Sequence, residues 1–250
     1  MDLHSALAGL STLGFDAALD ADPGDGWVSL ADFATDAALL EAGLRLAGRR
    51  YGLPEVSQTP EVSQMSGAWL VGDVAAAVAW PAAAALLTSG AVLVTTPERV
   101  RVPHPATGRR LAARLAPLPQ ERSAEGEVLA FASGITAALA GLVEHVHRRT
   151  RRGRHALNAT VADMVAAAFH RVGDHLGRCE EARRLADAVL GCADLSGGTN
   201  WHDVAWSGGM ARTRIRNICC LWYRTPGGDL CLTCPRIDDI RRRELLERRA

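Results

Sequence analysis

Hydrophobic positions recur at helical spacing in several stretches of the chain. From about Ser29 to Arg50 an amphipathic pattern opens on Asp32 and Asp36 and closes on Arg49 and Arg50. That charge order suits the helix dipole and predicts one helix. A second helical candidate lies upstream, across the turn Asp22-Pro23-Gly24-Asp25-Gly26, and a polar linker follows from Pro54 to Pro60. From Val62 to Leu87 the pattern is helical again, with Leu70, Val71, Val74 and Val78 on one face. Pro81 is expected to start a second helix of a buried hairpin, and Gly90 to end it. The period then shortens: 91–96, 100–102 and 110–115 read as short strands of a small antiparallel sheet. Two long helices follow, one carried by Val128, Phe131, Ile135, Leu139, Leu142 and Val146, the other by Leu157, Val161, Met164, Val165, Ala168, Val172 and Leu176. The basic turn Arg148–Arg154 joins them. A further helix spans about Glu180 to Leu190, glycine pairs at 197–198 and 208–209 mark a loop-rich region, and a short helix starts near Ile237. The fold class expected is α+β, a mainly helical body with a small antiparallel sheet and a cysteine-rich C-terminal segment. No internal repeat is visible.

Composition narrows the function classes. At 250 residues, 48% hydrophobic and 22% charged, the chain can bury a substantial core and is neither fibrous nor wholly disordered. Formal net charge is zero, with 28 basic and 28 acidic residues, which gives no bulk attraction to nucleic acid. The zero conceals an asymmetry: the first hundred residues carry twelve acidic groups against four arginines, so the remainder is basic. No lysine occurs. The N-terminus lacks the features of a secretory signal. The most apolar run, Ala68 to Leu87, is interrupted by Gly72, Asp73 and Pro81 and is mostly alanine, so a buried helix pair is expected rather than a transmembrane segment. Peripheral membrane association is left open, and the expected location is the cytoplasm.

Six cysteines in such a compartment should be reduced. None precedes Cys179, and four fall between Cys219 and Cys234 in the spacing C-C, ten residues, C-x-x-C. Clustered thiols in a reducing compartment point to metal. Four thiolates suffice for a zinc ion or an iron–sulfur cluster. Pro226-Gly227-Gly228-Asp229 supplies a reversal, but off centre, so irregular backbone is needed to bring the pairs together. Neighbours in a strand point to opposite faces, which suits a two-iron object with two ends better than one tetrahedral zinc. The structural zinc knot, stabilising a non-redox binding or interaction protein, stays open beside it. So does an iron–sulfur sensor, supported by the arginine-rich last helix.

The motif Cys219-Cys220-Leu221-Trp222-Tyr223-Arg224, followed by Cys231-Leu232-Thr233-Cys234-Pro235, resembles the signature of the FhuF family of ferric-siderophore reductases. Gln64–Leu70 and Asn200–Ala205 are similar more loosely. The resemblance implies a [2Fe–2S] cluster on Cys219, Cys220, Cys231 and Cys234, carried by a segment 206–250 behind a body of residues 1–205. It also implies one-electron reduction of a ferric siderophore, expected to be a hydroxamate, and release of Fe(II). Hard oxygen ligands hold Fe(II) far less well than Fe(III), so one electron loosens the iron. Trp201, His202, Trp206, Trp222 and Arg212 are candidates for siderophore contact, although loop tryptophans more often pack than bind. Arg212, Arg214, Arg216, Arg224 and Arg236 lie close in sequence to the cysteines. They are expected to raise the cluster potential and to dock an acidic donor such as a ferredoxin, or a ferredoxin or flavin reductase system. No Gly-rich dinucleotide fingerprint follows a strand, so direct use of NAD(P)H is not expected.

The other polar residues carry weaker signals. His145 and His147 do not share a helix face. His170 and Asp174 are spaced to pair. His104, His155 and His175 suggest no site, and Cys179 and Cys192 lack partners at chelating spacing. The sequon at Asn158 lies inside a predicted helix. The Arg148–Arg154 run reads as a solvated turn rather than an RNA contact. No nucleophile–base–acid constellation, phosphate loop or carboxylate pair stands out.

Overall fold

A computed structural model describes residues 26–53, 59–108 and 124–248, together with short strand pairs at 17–18, 113–114 and 116–117. Its elements in chain order begin with β1 (Ala17–Ala18), β2 (Trp27–Ser29), α1 (Leu30–Thr35), α2 (Ala37–Arg50) and α3 (Pro60–Ser89). Next come β3 (Leu93–Val94), β4 (Arg101–Pro103), β5 (Ala113–Arg114) and β6 (Ala116–Pro117). The helices α4 (Ala124–Thr150), α5 (Arg154–His175) and α6 (Cys179–Cys192) follow, then β7 (Trp201–Trp206), β8 (Gly209–Arg214) and α7 (Asp239–Glu247). The α+β expectation holds.

The helix expected over 29–50 is two helices. Ser29 caps α1 through the amide of Asp32, but Asp36 turns extended (φ −80°, ψ 118°) and its carboxylate accepts from the amides of Ala38 and Leu39. An Asp that satisfies two free amides of a new helix competes with continuing the old one. The opposite correction applies at Pro81. No hairpin forms there; α3 runs unbroken through the proline for 30 residues. A proline inside a helix costs about 3 kcal/mol. A turn at that point would instead bury free backbone polar groups among Val78, Ala79, Ala82 and Ala83, all at most 3% exposed. Thr59 caps the start of α3 through the Val62 amide, and Gly90 (φ 68°) ends it as expected.

α3 is the axis of the molecule, packed against α2, α4 and α5. It is apolar on every side because neighbours cover every side. Both α3 and residues 126–150 are long and apolar enough to cross a membrane; over their most apolar windows they are 89% and 39% buried. The helical rhythm of α4 and α5 is realised, with Ile135, Leu139, Leu142, Leu157, Val161 and Val165 at most 1% exposed and the Phe131 and Phe169 rings 5.4 Å apart.

The small sheet has four strands in the order β1-β5-β4-β2, in which β1 runs parallel to β5, and a separate antiparallel pair joins β3 to β6. Two of its strands come from the N-terminal region that the pattern assigned to helices, with Val28 opposite Val102. The rest of the first helical candidate and most of the linker lie outside the described residues. The glycine-marked loop region is also more ordered than expected. β7 and β8 form a regular hairpin, Trp201 opposite Arg214 and Trp206 opposite Gly209, turning on Ser207-Gly208. It pairs residues on both sides of position 205. α7, capped by Asp238 through the Arg241 amide, packs on β7.

Candidate metal centre

Beyond β8 the cysteine segment is held by isolated backbone bonds rather than by a sheet. Ile215 N–H donates to the Asn200 carbonyl (2.9 Å), and Arg216 N–H donates to the Thr233 carbonyl (2.8 Å). The second of these lays the C-C segment beside the C-x-x-C loop, which is closed by Cys234 N–H on the Cys231 carbonyl at 2.9 Å. Between them the backbone is irregular, as the off-centre turn requires. Leu221 is left-handed (φ 64°), a conformation that costs a non-glycine residue roughly 1–2 kcal/mol. A 3-10 turn at Trp222–Arg224 and the bond from the Thr225 hydroxyl to the Trp222 carbonyl (2.8 Å) follow. Gly228 packs so closely that a Cβ there would collide with the Trp222 carbonyl. Strain at Leu221, immediately after the vicinal thiols, is the kind that persists where the surroundings over-determine a functional loop.

The result is two nested thiol pairs. Cys219 Sγ lies 3.9 Å from Cys234 Sγ, and Cys220 and Cys231 share the wall of one cavity, close enough for each to shift the other's acidity. Among the described residues, no three His, Cys, Asp or Glu side chains converge closely enough to hold one metal ion. Paired thiols fit a dinuclear cluster, in which each iron needs two protein sulfurs, better than they fit a mononuclear tetrahedral site.

The surroundings favour thiolate sulfur at Cys231 and the protonated thiol at Cys220 and Cys234. Interaction with Cys220 pulls Cys231 down to about 5 against the effect of burial, helped by Thr233 and Arg216. The same interaction, with burial, pushes Cys220 far up. Burial also raises Cys234, to about 11. The Leu221 amide donates to Cys219 Sγ at 3.4 Å. N–H groups aimed at sulfur are among the means by which proteins stabilise iron–sulfur thiolates.

Three side chains from elsewhere in the chain grip the carbonyls of the cysteines. Trp69 Nε1 on α3 donates to the Cys220 carbonyl (2.9 Å). Arg152, in the turn between α4 and α5, donates to the Cys219 carbonyl (3.2 Å). Arg242 on α7 donates to the carbonyls of Cys234 (2.7 Å) and Ile237 (2.6 Å). Both arginines are buried, and in each Nε has no hydrogen-bond partner. Asp163 on α5, with a wholly buried side chain, receives Arg214 and Arg216. Neither Asp163 nor Arg242 stands out in the sequence, and Arg152 corrects the expectation of a solvated turn over Arg148–Arg154, because its side chain is buried and reaches the Cys219 carbonyl. Trp69 lies in the loosely similar Gln64–Leu70 stretch.

Two cavities flank the Cys231–Thr233 loop, which lines both. One, of about 240 Å³, is walled by Trp69, Met164, Trp222 and Cys220, with Asp73 at its side. Asp73 is bonded to Tyr51 (2.9 Å) and Arg50 (2.7 Å). Burial holds its carboxyl above the usual range despite Arg50. The other, of about 490 Å³, is more polar and is lined by Trp80, His170, Arg171, Asp174, Arg212 and Arg214.

The residues expected to contact a siderophore are spread out. Trp222 faces the smaller cavity and Arg212 the larger one. Trp201 packs instead against Arg183 (5.0 Å) and His170 (5.8 Å) and donates to Asp187 (3.1 Å). His202 Nε2 lies 2.7 Å from Asp239, and the Trp206 ring covers Gly208. Of the neighbouring arginines, Arg214 and Arg216 turn inward to Asp163, Arg212 pairs with Glu180, and Arg224 and Arg236 flank the Tyr223 ring at 5.8 and 5.2 Å. Cys179 and Cys192 occupy opposite ends of α6.

Residues 216–236 match the FhuF 2Fe–2S C-terminal domain, in agreement with the resemblance read from the motif, and this domain implies a [2Fe–2S] cluster. No curated protein matches the chain.

Proposed function

We propose, on the premise that residues 216–236 are an FhuF-type 2Fe–2S domain, that the chain is a cytoplasmic ferric-siderophore reductase whose cluster is held by Cys219, Cys220, Cys231 and Cys234. The observation that carries the reading is the place of the Cys220–Cys231 pair. Cys231 lies at the wall of both cavities, so a ligand in the larger one sits against a cluster-bearing loop. When bound, a [2Fe–2S] cluster supplies electrons one at a time, and one electron converts siderophore-bound Fe(III) to Fe(II).

The residues have distinct tasks. Arg171, Arg212 and His170 offer N–H donors in the 490 Å³ cavity to the oxygen-rich face of a hydroxamate chelate, while Trp80 offers an apolar wall. Burial keeps His170 below its ordinary range, so at neutral pH it offers one donor and one acceptor without adding charge. Arg224 and Arg236, stacked on Tyr223 at the surface, suit an acidic electron donor such as a ferredoxin.

Anaerobic purification should give a reddish-brown protein with about two iron and two acid-labile sulfide per chain. The reduced protein, mixed with a ferric hydroxamate and a ferrous chelator, should release trapped Fe(II). A colourless protein holding one zinc overturns the cluster. A coloured protein that leaves the ferric hydroxamate untouched overturns the reductase.

A further inference from the structure

Asp163 sits on α5, in the body of the protein, with 0% of its side chain exposed. Its two oxygens accept five donors. Arg214 Nη1 (3.2 Å), the Asn217 amide (2.8 Å) and Asn217 Nδ2 (3.0 Å) reach Oδ1. Arg216 Nε (3.4 Å) and the Ile218 amide (3.4 Å) reach Oδ2. The last of these amides belongs to the residue directly before Cys219.

The charges do not balance within this group. One carboxylate faces two guanidiniums whose side chains are only 7% and 13% exposed. A buried surplus of positive charge is costly unless a further anion completes it. The anion is at hand, because Arg216 lines the same cavity as Cys220 and Cys231, and its amide bonds to Thr233 between Cys231 and Cys234. The other thiol pair has a different environment: Arg152 and Arg242 reach the main-chain carbonyls of Cys219 and Cys234.

We propose that Asp163 is a positioning residue for the iron–sulfur centre: it holds the Arg216 guanidinium against the Cys220–Cys231 pair, and that cation raises the reduction potential. The inference rests on the cluster reading above. A reduced cluster carries one more negative charge than an oxidised one, so a fixed cation beside it favours reduction. Asp163 thus acts in two opposed ways. Its own negative charge lowers the potential through space, whereas its hold on Arg216 raises it.

That opposition supplies the test, a redox titration of the full-length protein followed by visible absorbance, with iron and sulfide counted in each sample. Asp163→Asn is expected to lower the midpoint potential, because Arg216 is released. Arg216→Gln, which keeps every backbone bond to Asp163, is expected to lower it as well. The double variant should fall no further than Arg216→Gln alone. A raised or unchanged potential in Asp163→Asn overturns the proposal, as does an additive double variant. If Asp163→Asn retains no cluster, Asp163→Glu keeps the anion but shifts the bonds by a methylene. A lowered potential there supports the proposal and an unchanged one overturns it. Wild-type protein without iron and sulfide fails at the earlier step and removes the cluster reading itself.

Discussion

Arg242 provides the most quantitative test of how the centre is held. Its guanidinium is buried (3% of the side chain exposed) and makes two short bonds, 2.7 Å to the Cys234 carbonyl and 2.6 Å to the Ile237 carbonyl. Bonds to a charged donor contribute about 1.5–3 kcal/mol each. Replacing Arg242 with Met keeps much of the volume but takes this donor from the buried Cys234 carbonyl and the part-buried Ile237 carbonyl. Against this, the variant no longer buries a guanidinium whose Nε has no partner. Subtracting that desolvation leaves a net local loss of about 2–4 kcal/mol. At 1.4 kcal/mol per factor of ten, the Cys234 loop should open about 30- to 700-fold more often. Where opening is fast compared with capture, iron loss to an external chelator follows the open population. Transfer of iron from anaerobic Arg242→Met should accelerate by that factor. Arg241→Met is the control, since its bridges to Asp229 (3.3 Å) and Glu244 (2.9 Å) are exposed and contribute under about 1 kcal/mol. If Arg242→Met loses iron no faster than Arg241→Met, the clamp reasoning is refuted.

Serine at Cys219, Cys220, Cys231 or Cys234 should abolish the visible chromophore, whereas Cys179→Ser and Cys192→Ser should leave it intact; full iron content in any of the first four removes that residue from the ligand set. Gly228→Ala forces a Cβ into the Trp222 carbonyl and should cost at least about 1 kcal/mol, read as a lower melting temperature; an unchanged one counts against the tight turn. His170 is depressed by burial, with Asp174 opposing and Arg214, Arg171 and Arg183 adding to the shift. The unfolded chain therefore takes up the proton first. Stability from this group is full above its ordinary value of 6.5 and is lost as pH falls through the folded value. His170→Gln should flatten the acid side of the melting-temperature profile, and a slope identical to wild type argues against a buried neutral imidazole.

Local rules in the sequence located α4, α5, α6 and α7 within a few residues, because each has a one-sided apolar rhythm and flanking turn or cap residues. They also located the cysteine pairs and the irregular reversal between them. They failed where tertiary context decides. Pro81 reads as a break in isolation, but continuous burial keeps α3 helical. Asp36 reads as one more first-turn acid, yet its carboxylate caps a new helix. The strand Trp27–Ser29 is too short to show a period and exists by pairing with Arg101–Pro103. The β7–β8 hairpin was legible in principle, since Gly208-Gly209 follows an extended run, but the glycine density argued for loops. Asp163 was hidden for a different reason: an acidic residue on a helix gives no sign that five donors from residues 214–218 will meet it.

That hidden support bears on what the matched segment can do alone. Residues 216–236 contain the four thiols and the turn, but few of the groups that fix them. Asp163, Trp69 and Arg152 come from the helical body, and Arg242 from the last helix. The segment itself has one 3-10 turn as regular structure and one fully buried cysteine, Cys234. A 21-residue loop with so little apolar burial cannot offset its own ordering entropy. Its conformation must come from the body, through buried donors aimed at cysteine carbonyls and a carboxylate at the entry to the motif. The motif therefore identifies the chemistry, while the body controls the geometry and charge that tune it. Substitutions in the helices around Asp163 should alter the centre more than substitutions at Asp229 or Leu230 within the matched segment.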